Sequence, residues 1–329
     1  MEKVKIGLVG AGHLGKIHLR CIQQAADCLE LTGFYDPDLP NALQVAQGMG
    51  IHRFDTLEAL IEASEAVDIV TPTVHHFAVA EAAILRGRSA FIEKPLTHTI
   101  AEAEKLIDLA ATQAIKIQVG HVERFNPAFL SLGDISVEPM FIEAHRLAPF
   151  NPRGTDVSVI LDLMIHDIDL ILHLVPSAVK AVHASGVAVI SASPDIANAR
   201  IEFENGCVAN LTASRMSLKQ MRKVRLFQRD AYISLDFLEK SSQIIRLLDE
   251  NLPDIDTTSL MALETARGKK WLDIKTPEAV SVNAIQMELE TFAASIRLDK
   301  TPPVSIQDGY RALKVAHQII DVIGDTTLS

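Results

Sequence analysis

The stretch "VKIGLVGAGHLGKIHLRCIQQAADCLELTGFYD", residues 4–36, decides the fold. Val4 to Val9 is a short apolar run, suited to a strand buried on both faces. Gly10-Ala11-Gly12-His13-Leu14-Gly15 follows it. Leu14, Ile17, His18, Cys21 and Ile22 then recur at helical spacing. A second apolar run, Leu29 to Tyr35, ends at Asp36. The spacing predicts a strand, a tight glycine turn, a helix and a second parallel strand. In such a unit Gly10 permits the turn, Gly12 lets backbone approach a pyrophosphate, and Gly15 lets the helix pack on the strand. The helix amino terminus, opening at His13 and Leu14, offers unpaired N–H groups to the phosphates.

Asp36 lies 21 residues beyond Gly15. A carboxylate at that strand end accepts both ribose hydroxyls and repels a 2′-phosphate. A glycine loop alone says little. One between strand and helix, with an acid closing the next strand, predicts a dinucleotide site. Pro37, Asp38 and Leu39 follow Asp36 and offer no Arg or Lys to a 2′-phosphate. NAD is therefore expected over NADP.

Working outward, strands and helices continue to alternate. "GIHRF" reads as a short strand, and "TLEALIEAS" as a helix with Thr56 as its cap. "AVDIVTP" is an apolar strand ending at Thr71-Pro72, and "HHFAVAEAAILRG" a helix closing on Gly87. "SAFIEKP" is a strand, "TIAEAEKLIDLAATQ" a helix and "IKIQVGH" a strand. This alternation implies a doubly wound parallel sheet, with ligands beyond the carboxyl ends of its strands. Gly10–Gly15, Asp36, Thr71-Pro72, Glu93-Lys94-Pro95 and Gly120-His121 all follow strands, and are expected along one edge. Glu93-Lys94-Pro95 would otherwise read as a charged strand end with a turn proline.

The pattern changes near residue 121, so a Rossmann domain at 1–120 and an α+β domain at 121–329 are expected. "PMFIEAHRLAP" alternates like a strand, "NPRGTDVS" is loop-like, and "VILDLMIHDIDLILHLV", residues 159–175, is an apolar helix. Long strand-like runs follow Pro176, with Asn205-Gly206 as a hairpin turn between two of them. A large antiparallel sheet is implied. Residues 249–270 read as a polar loop, and two helical segments close the chain.

The apolar helix at 159–175 carries a second set of polar groups. Asp162 and His166, four apart, share one face; Asp169 and His173 follow, and Asp167 points elsewhere. Acids and imidazoles in so apolar a segment are costly unless paired or facing a cavity. A carboxylate–imidazole pair suits a proton acceptor near neutral pH. A helix cap with satisfied core groups, or a metal site, fits the same residues, although a partner cluster of ligands is not evident. Arg124, Asn126, Arg146 and Arg153 are candidates for holding a diphosphate or carboxylate, or for ordinary ion pairs.

Composition narrows the class. The chain has 329 residues, 48% hydrophobic and 22% charged, with a net charge of −11. That balance argues against nucleic acid as a partner. No apolar run is long enough to span a bilayer, and no signal-peptide pattern opens the chain. Three cysteines, Cys21, Cys28 and Cys207, form neither a disulfide framework nor a zinc motif, so a reducing, cytoplasmic setting is expected.

Together these motifs resemble the Gfo/Idh/MocA family of oxidoreductases. The residues that carry the resemblance are Gly10 to Gly15, Asp36, Thr71-Pro72 with His76, Glu93-Lys94-Pro95, and Asp162-Leu163-Met164-Ile165-His166. The late "PPVSIQDGYRALKVA" fits as well. "VGHVERFNPA", residues 119–128, is most similar to the branch that includes UDP-N-acetylglucosamine 3-dehydrogenases. The resemblance implies reversible hydride transfer between a sugar or cyclitol hydroxyl carbon and nicotinamide. It carries catalytic roles to Lys94, Asp162 and His166; cofactor contacts are expected at His13, Leu14, Thr71, Pro72, His76 and Glu93, the last with positioning of Lys94 as its alternative role. Substrate contacts are expected at Lys94, His121, Arg124, Asn126, Arg153, Asp162 and His166, and no metal is expected. A homodimer or homotetramer through the second-domain sheet is implied too. His166 is expected as the base, with Asp162 orienting it or holding a substrate hydroxyl, and Lys94 on the same oxygen, either stabilising the alkoxide or sharing the proton relay with His166 as one coupled unit. The expected substrate is a UDP-amino sugar oxidised at its 3-hydroxyl. A free sugar or inositol, or a non-catalytic NAD-binding regulator, are the alternatives.

Overall fold

The computed structural model describes residues 2–150, 157–249, 260–265, 268–278 and 280–326. The chain opens with β1 (Val4–Val9), α1 (His13–Gln24), β2 (Leu29–Tyr35), α2 (Leu39–Met49), α3 (Leu57–Ala63) and β3 (Ala66–Ile69). α4 (His76–Ile84), β4 (Ser89–Glu93), α5 (Ile100–Ala111) and β5 (Ile117–Gly120) follow. The strands form a five-stranded sheet in the order β2-β1-β3-β4-β5, parallel throughout. The doubly wound sheet expected from the alternation is present. β3 and β4 are buried at every position, as strands covered on both faces must be.

Val9 registers with Tyr35 on one side and Ile69 on the other. The glycine loop therefore stands level with the ends of β2 and β3. Strand order reverses across β1, and a crevice opens at such a switch point. Local caps agree with the sequence. Thr56 accepts from the Ala59 N–H at 3.2 Å, and Thr99 forms a reciprocal capping box with Glu102. "GIHRF" does not form a strand; only an isolated bridge joins Arg53 to Phe34. Gly33, with φ +147°, lets the His52 carbonyl approach there, and pairing stops at that contact.

The second sheet has nine strands. α6 (Pro127–Leu130) and β6 (Phe141–Leu147) precede a π turn at Ile160–Met164 and α7 (Ile165–Leu174). β7 (Val179–Val187), β8 (Ile196–Phe203), β9 (Val208–Ser214), β10 (Met221–Phe227), β11 (Ala231–Asp236) and β12 (Ser241–Asp249) come next. β13 (Met261–Thr265) and β14 (Gly268–Lys275) complete the sheet, in the order β13-β14-β12-β11-β10-β6-β9-β8-β7. All neighbours are antiparallel except β6 and β9. The hairpin turn read at Asn205-Gly206 joins β8 to β9, with Gly206 at φ +86°. The span read as a polar loop, 249–270, contains β13 and the start of β14. β13 is a short edge strand, so its side chains lack the buried alternation that marks a strand in sequence.

Two helices close the chain, α8 (Ala284–Arg297) and α9 (Ile306–Thr326). Contacts divide the chain into one unit of residues 1–125 with 282–314, and another of 126–281 with 315–329. A division at 120/121 is therefore too simple: the chain returns to its first unit. Leu289, Phe292 and Ala293 of α8 join the core formed by β1 and α1, and Phe292 meets Phe91 edge-on at 5.9 Å. An amphipathic helix shows which face it buries, but its sequence does not name the surface it covers. Among the described residues no helix is long and apolar enough to cross a membrane, and all three cysteines are free. Burial pushes the Cys207 thiol to about 11.

Docking of α8 predicts that Phe292→Ala destabilises the protein by about 3–5 kcal/mol, read as a lower midpoint in urea denaturation. An unchanged midpoint would show that α8 is not part of this core.

Candidate functional site: a nucleotide cleft and the end of the fourth strand

A cavity of about 930 Å³ lies over the glycine loop, bordered by Gly12, His13, Asp36, Asn41, Thr71 and His75. Each glycine acts differently. A Cβ on Gly15 would stand 1.9 Å from the Gly10 carbonyl oxygen, so the helix–strand contact requires glycine. Gly10 has φ +96° and lies against the Val70 carbonyl. A Cβ on Gly12 would meet nothing within 4 Å, because that position faces the open cleft. α1 starts there, with Gly12 as its N-cap and no acid in its first turn. Its N–H groups and dipole are left to an anion. His13 and Leu14 are exposed at the same point.

Asp36 is held in place before any ligand arrives. One carboxylate oxygen accepts from the Ala11 N–H at 2.7 Å and the Asn41 amide at 3.3 Å. The other accepts from the Asp38 N–H at 2.9 Å. Lys16 donates to Asn41 at 3.2 Å. Asn41 and Lys16 were missed in the sequence. They come from α2 and α1, and only the fold brings them beside Asp36. The glycine cradle, the bare helix terminus and the anchored acid together fit a dinucleotide.

Not every expected cofactor residue reaches the cleft. Thr71 and Pro72 border it, but His76 is buried and does not. Its ring nitrogens lie 2.9 Å from the Thr71 and Pro95 carbonyl oxygens, so His76 ties the end of β3 to the end of β4. Burial holds its pKa below the usual value. His75, one residue earlier, borders the cavity instead.

Glu93 turns inward from the strand end. It is buried, with one oxygen 3.1 Å from His18 Nε2 and the other accepting the Lys94 N–H at 3.1 Å. His18 Nδ1 lies 2.9 Å from Asp68. A Cβ on Gly120 would fall 2.8 Å from the Glu93 carboxylate, so glycine at the end of β5 makes room for it. Burial works to lower the His18 pKa, but Asp68 and Glu93 outweigh it and hold it well above the usual value. Burial pushes Asp68 up, against the pull of His18. In Glu93 the His18 contacts outweigh burial, and the carboxyl is lowered. The tripeptide thus divides its work. Glu93 turns into the core, Lys94 stands half-buried at the strand end, and the Lys94–Pro95 peptide is cis.

Several expected substrate contacts have structural partners. Arg124 is buried, donates to the Pro303 carbonyl at 3.3 Å and lies 3.5 Å from Asp308. Burial works to raise the Asp308 carboxyl, but Ser305 and Arg124 outweigh it and hold it at about 2. Asn126 caps α6 through the Ala128 N–H at 3.0 Å and donates to the Phe237 carbonyl at 3.1 Å. Arg146 forms a buried two-pronged pair with Asp167 at 2.7 and 3.0 Å. His121 is buried. Arg153 lies outside the described residues.

In the second unit the expected helix begins as a π turn. Asp162 lies on this turn and His166 on the first turn of α7, both half-buried, whereas Asp167 and Asp169 are buried. π turns inside helices are frequent at functional sites. His173 is exposed, with its ring 5.9 Å from that of Phe129.

The glycine geometry predicts opposite outcomes for two substitutions. Gly15→Ala overpacks the turn and costs about 1–3 kcal/mol of stability. Gly12→Val leaves the denaturation midpoint near wild type and abolishes dinucleotide binding, read by calorimetric titration. Retained binding in Gly12→Val would show that the phosphates do not approach at this loop.

Residues 4–121 match the model of an oxidoreductase family with an NAD-binding Rossmann fold. Residues 138–232 match that of the GFO/IDH/MocA C-terminal domain. The chain is 36% identical, over 97% of both sequences, to UDP-N-acetylglucosamine 3-dehydrogenase of Acidithiobacillus ferrooxidans. A solved structure of that enzyme superposes with a TM-score of 0.87 at 34% identity, covering 99% of each chain. A levoglucosan dehydrogenase in complex with NADH and L-sorbose superposes at 0.83 with 18% identity, over 99% of this chain and 98% of that one, which shows the shared fold. The chain belongs to the Gfo/Idh/MocA family of NAD-binding oxidoreductases.

Proposed function

We propose that this family member is an NAD-dependent dehydrogenase that oxidises the 3-hydroxyl of a UDP-linked amino sugar. The observation that carries the substrate is likeness along the whole of both chains to UDP-N-acetylglucosamine 3-dehydrogenase. Asp36 supports NAD over NADP: its carboxylate is fixed where a 2′-phosphate would be repelled. Lys16, which donates to Asn41 beside Asp36, is a cation that works against this preference.

When bound, the nicotinamide accepts the hydride. A secondary alcohol gives up hydride readily only as its O–H proton leaves. His166 takes that proton, and Asp162 orients the imidazole or holds a neighbouring hydroxyl. Lys94 donates a hydrogen bond to the oxygen as it gains alkoxide character. Its backbone is anchored by Glu93, so the side chain starts from a fixed strand end.

Adding UDP-N-acetylglucosamine to protein and NAD is expected to give reduced nicotinamide, while free sugars and inositol react slowly or not at all. NAD binding without turnover across a broad sugar panel would favour a regulator. Lys94→Ala and His166→Ala are each expected to cut turnover by about 10²–10⁴-fold with NAD affinity retained. Unimpaired turnover in either variant removes that residue from the mechanism. Titration of wild type with both cofactors is expected to show tighter NAD; tighter NADP would overturn the reading of Asp36.

A further inference from the structure

Behind the Glu-Lys-Pro strand end lies a cluster that hydride transfer leaves unused. His18 comes from α1, Asp68 from β3, Glu93 from β4 and Glu288 from α8. All four are buried, and Glu288 completely so. Among the described residues neither Glu288 oxygen has a hydrogen-bond partner. One of its oxygens nonetheless lies within 4.8 Å of both a His18 ring nitrogen and a Glu93 oxygen.

The neighbours leave little choice of charge. α1 presents His18 and Cys21, β3 presents Asp68, and β4 ends in Glu93 with Lys94 next in the chain. β5 supplies Gln118, whose amide donates to the Glu288 carbonyl at 2.7 Å. The short turn at 122–125 carries Glu123 and Arg124, and Arg124 is engaged by Asp308. Lys5 of β1 is exposed. The one histidine of this cluster already faces two carboxylates, at 2.9 and 3.1 Å. A third ionised carboxylate, buried with no donor, would carry a full desolvation penalty. A protonated one has an O–H to give, and an ionised carboxylate can accept it.

We propose that Glu288 is a neutral acid in the folded protein, shares its proton with Glu93, and acts through Glu93 as a positioning residue for Lys94. The shared proton fixes the Glu93 carboxylate, which holds the Lys94 backbone N–H and sets the charge beside that lysine. Burial pushes the Glu288 carboxyl well above its usual range, and the Glu93 charge adds to this. The link to Lys94 rests on the proposed role of that lysine in turnover; the neutral state of Glu288 does not.

The test uses the full chain with Glu288→Gln, Glu288→Leu and Glu93→Gln. In infrared difference spectra the carbonyl band of a protonated carboxyl is expected in wild type, lost in Glu288→Gln and shifted in Glu93→Gln. A spectrum that Glu288→Gln leaves unchanged overturns the proposal. Glu288 takes up a proton on folding, so its penalty is absent below the ordinary carboxylate range and grows as pH rises above it. Glu288→Gln removes that penalty, and its stability gain over wild type is expected to widen with pH in urea denaturation. A gap that is flat or narrows contradicts this. Stoichiometric divalent metal in purified wild type, lost in Glu288→Gln, would also overturn it. With substrate, Glu93→Gln and Glu288→Leu are expected to move the pH profile of turnover by about one pH unit or more. Glu288→Gln, with an N–H to give in place of the O–H, keeps the wild-type position. A profile that none of these variants moves overturns the positioning role. The infrared and stability measurements use no substrate. If they hold while no sugar is turned over, the reading of the reaction fails and the proton assignment stands.

Discussion

His18 lies between Asp68 and Glu93, and this buried contact joins α1, β3 and β4 of the first unit. It ties α1 to two inner strands of the sheet, β3 and β4, and Lys94 directly follows the second. A charged histidine in a dry core is stable only with carboxylates against it. The helix, the strands and the lysine are therefore positioned by one electrostatic requirement. His76 repeats the device with backbone groups, linking the ends of β3 and β4 through two carbonyls.

The cofactor cleft shows where sequence is informative and where it stops. Gly10 to Gly15 and Asp36 are legible because strand, turn and helix are consecutive, and each glycine answers a local steric demand. The parallel sheet follows from the alternation in the same way. His76 is buried while its neighbour His75 borders the cleft, and only the turn geometry separates them. Glu93 and Lys94 read alike as strand-end charges, yet one turns inward and the other does not. His18 appears in sequence only as part of an apolar stripe, and Glu288 as a polar residue in a helix. Their partners lie 50 to 170 residues away or more in the chain, so local pattern cannot reveal them.

The second unit was legible in class and blurred in detail. Its hairpins and alternating runs predicted the sheet, but the parallel β6–β9 pair and the β13 edge strand depend on pairings that no local period encodes. Arg124, Asn126 and Arg146 have partners far along the chain, which no local pattern names. Asp162 and His166 remain half-buried on and just after a π turn, while their acidic neighbours are buried.

In the proposed reaction, hydride leaves carbon 3 of a UDP-linked amino sugar for the nicotinamide. UDP-N-acetylglucosamine deuterated at carbon 3, mixed with the protein and NAD, tests it directly by mass spectrometry of the reduced cofactor. The account predicts that the deuterium is transferred to the nicotinamide ring. Reduced cofactor without deuterium, or label retained on the sugar as the cofactor is reduced, would contradict it.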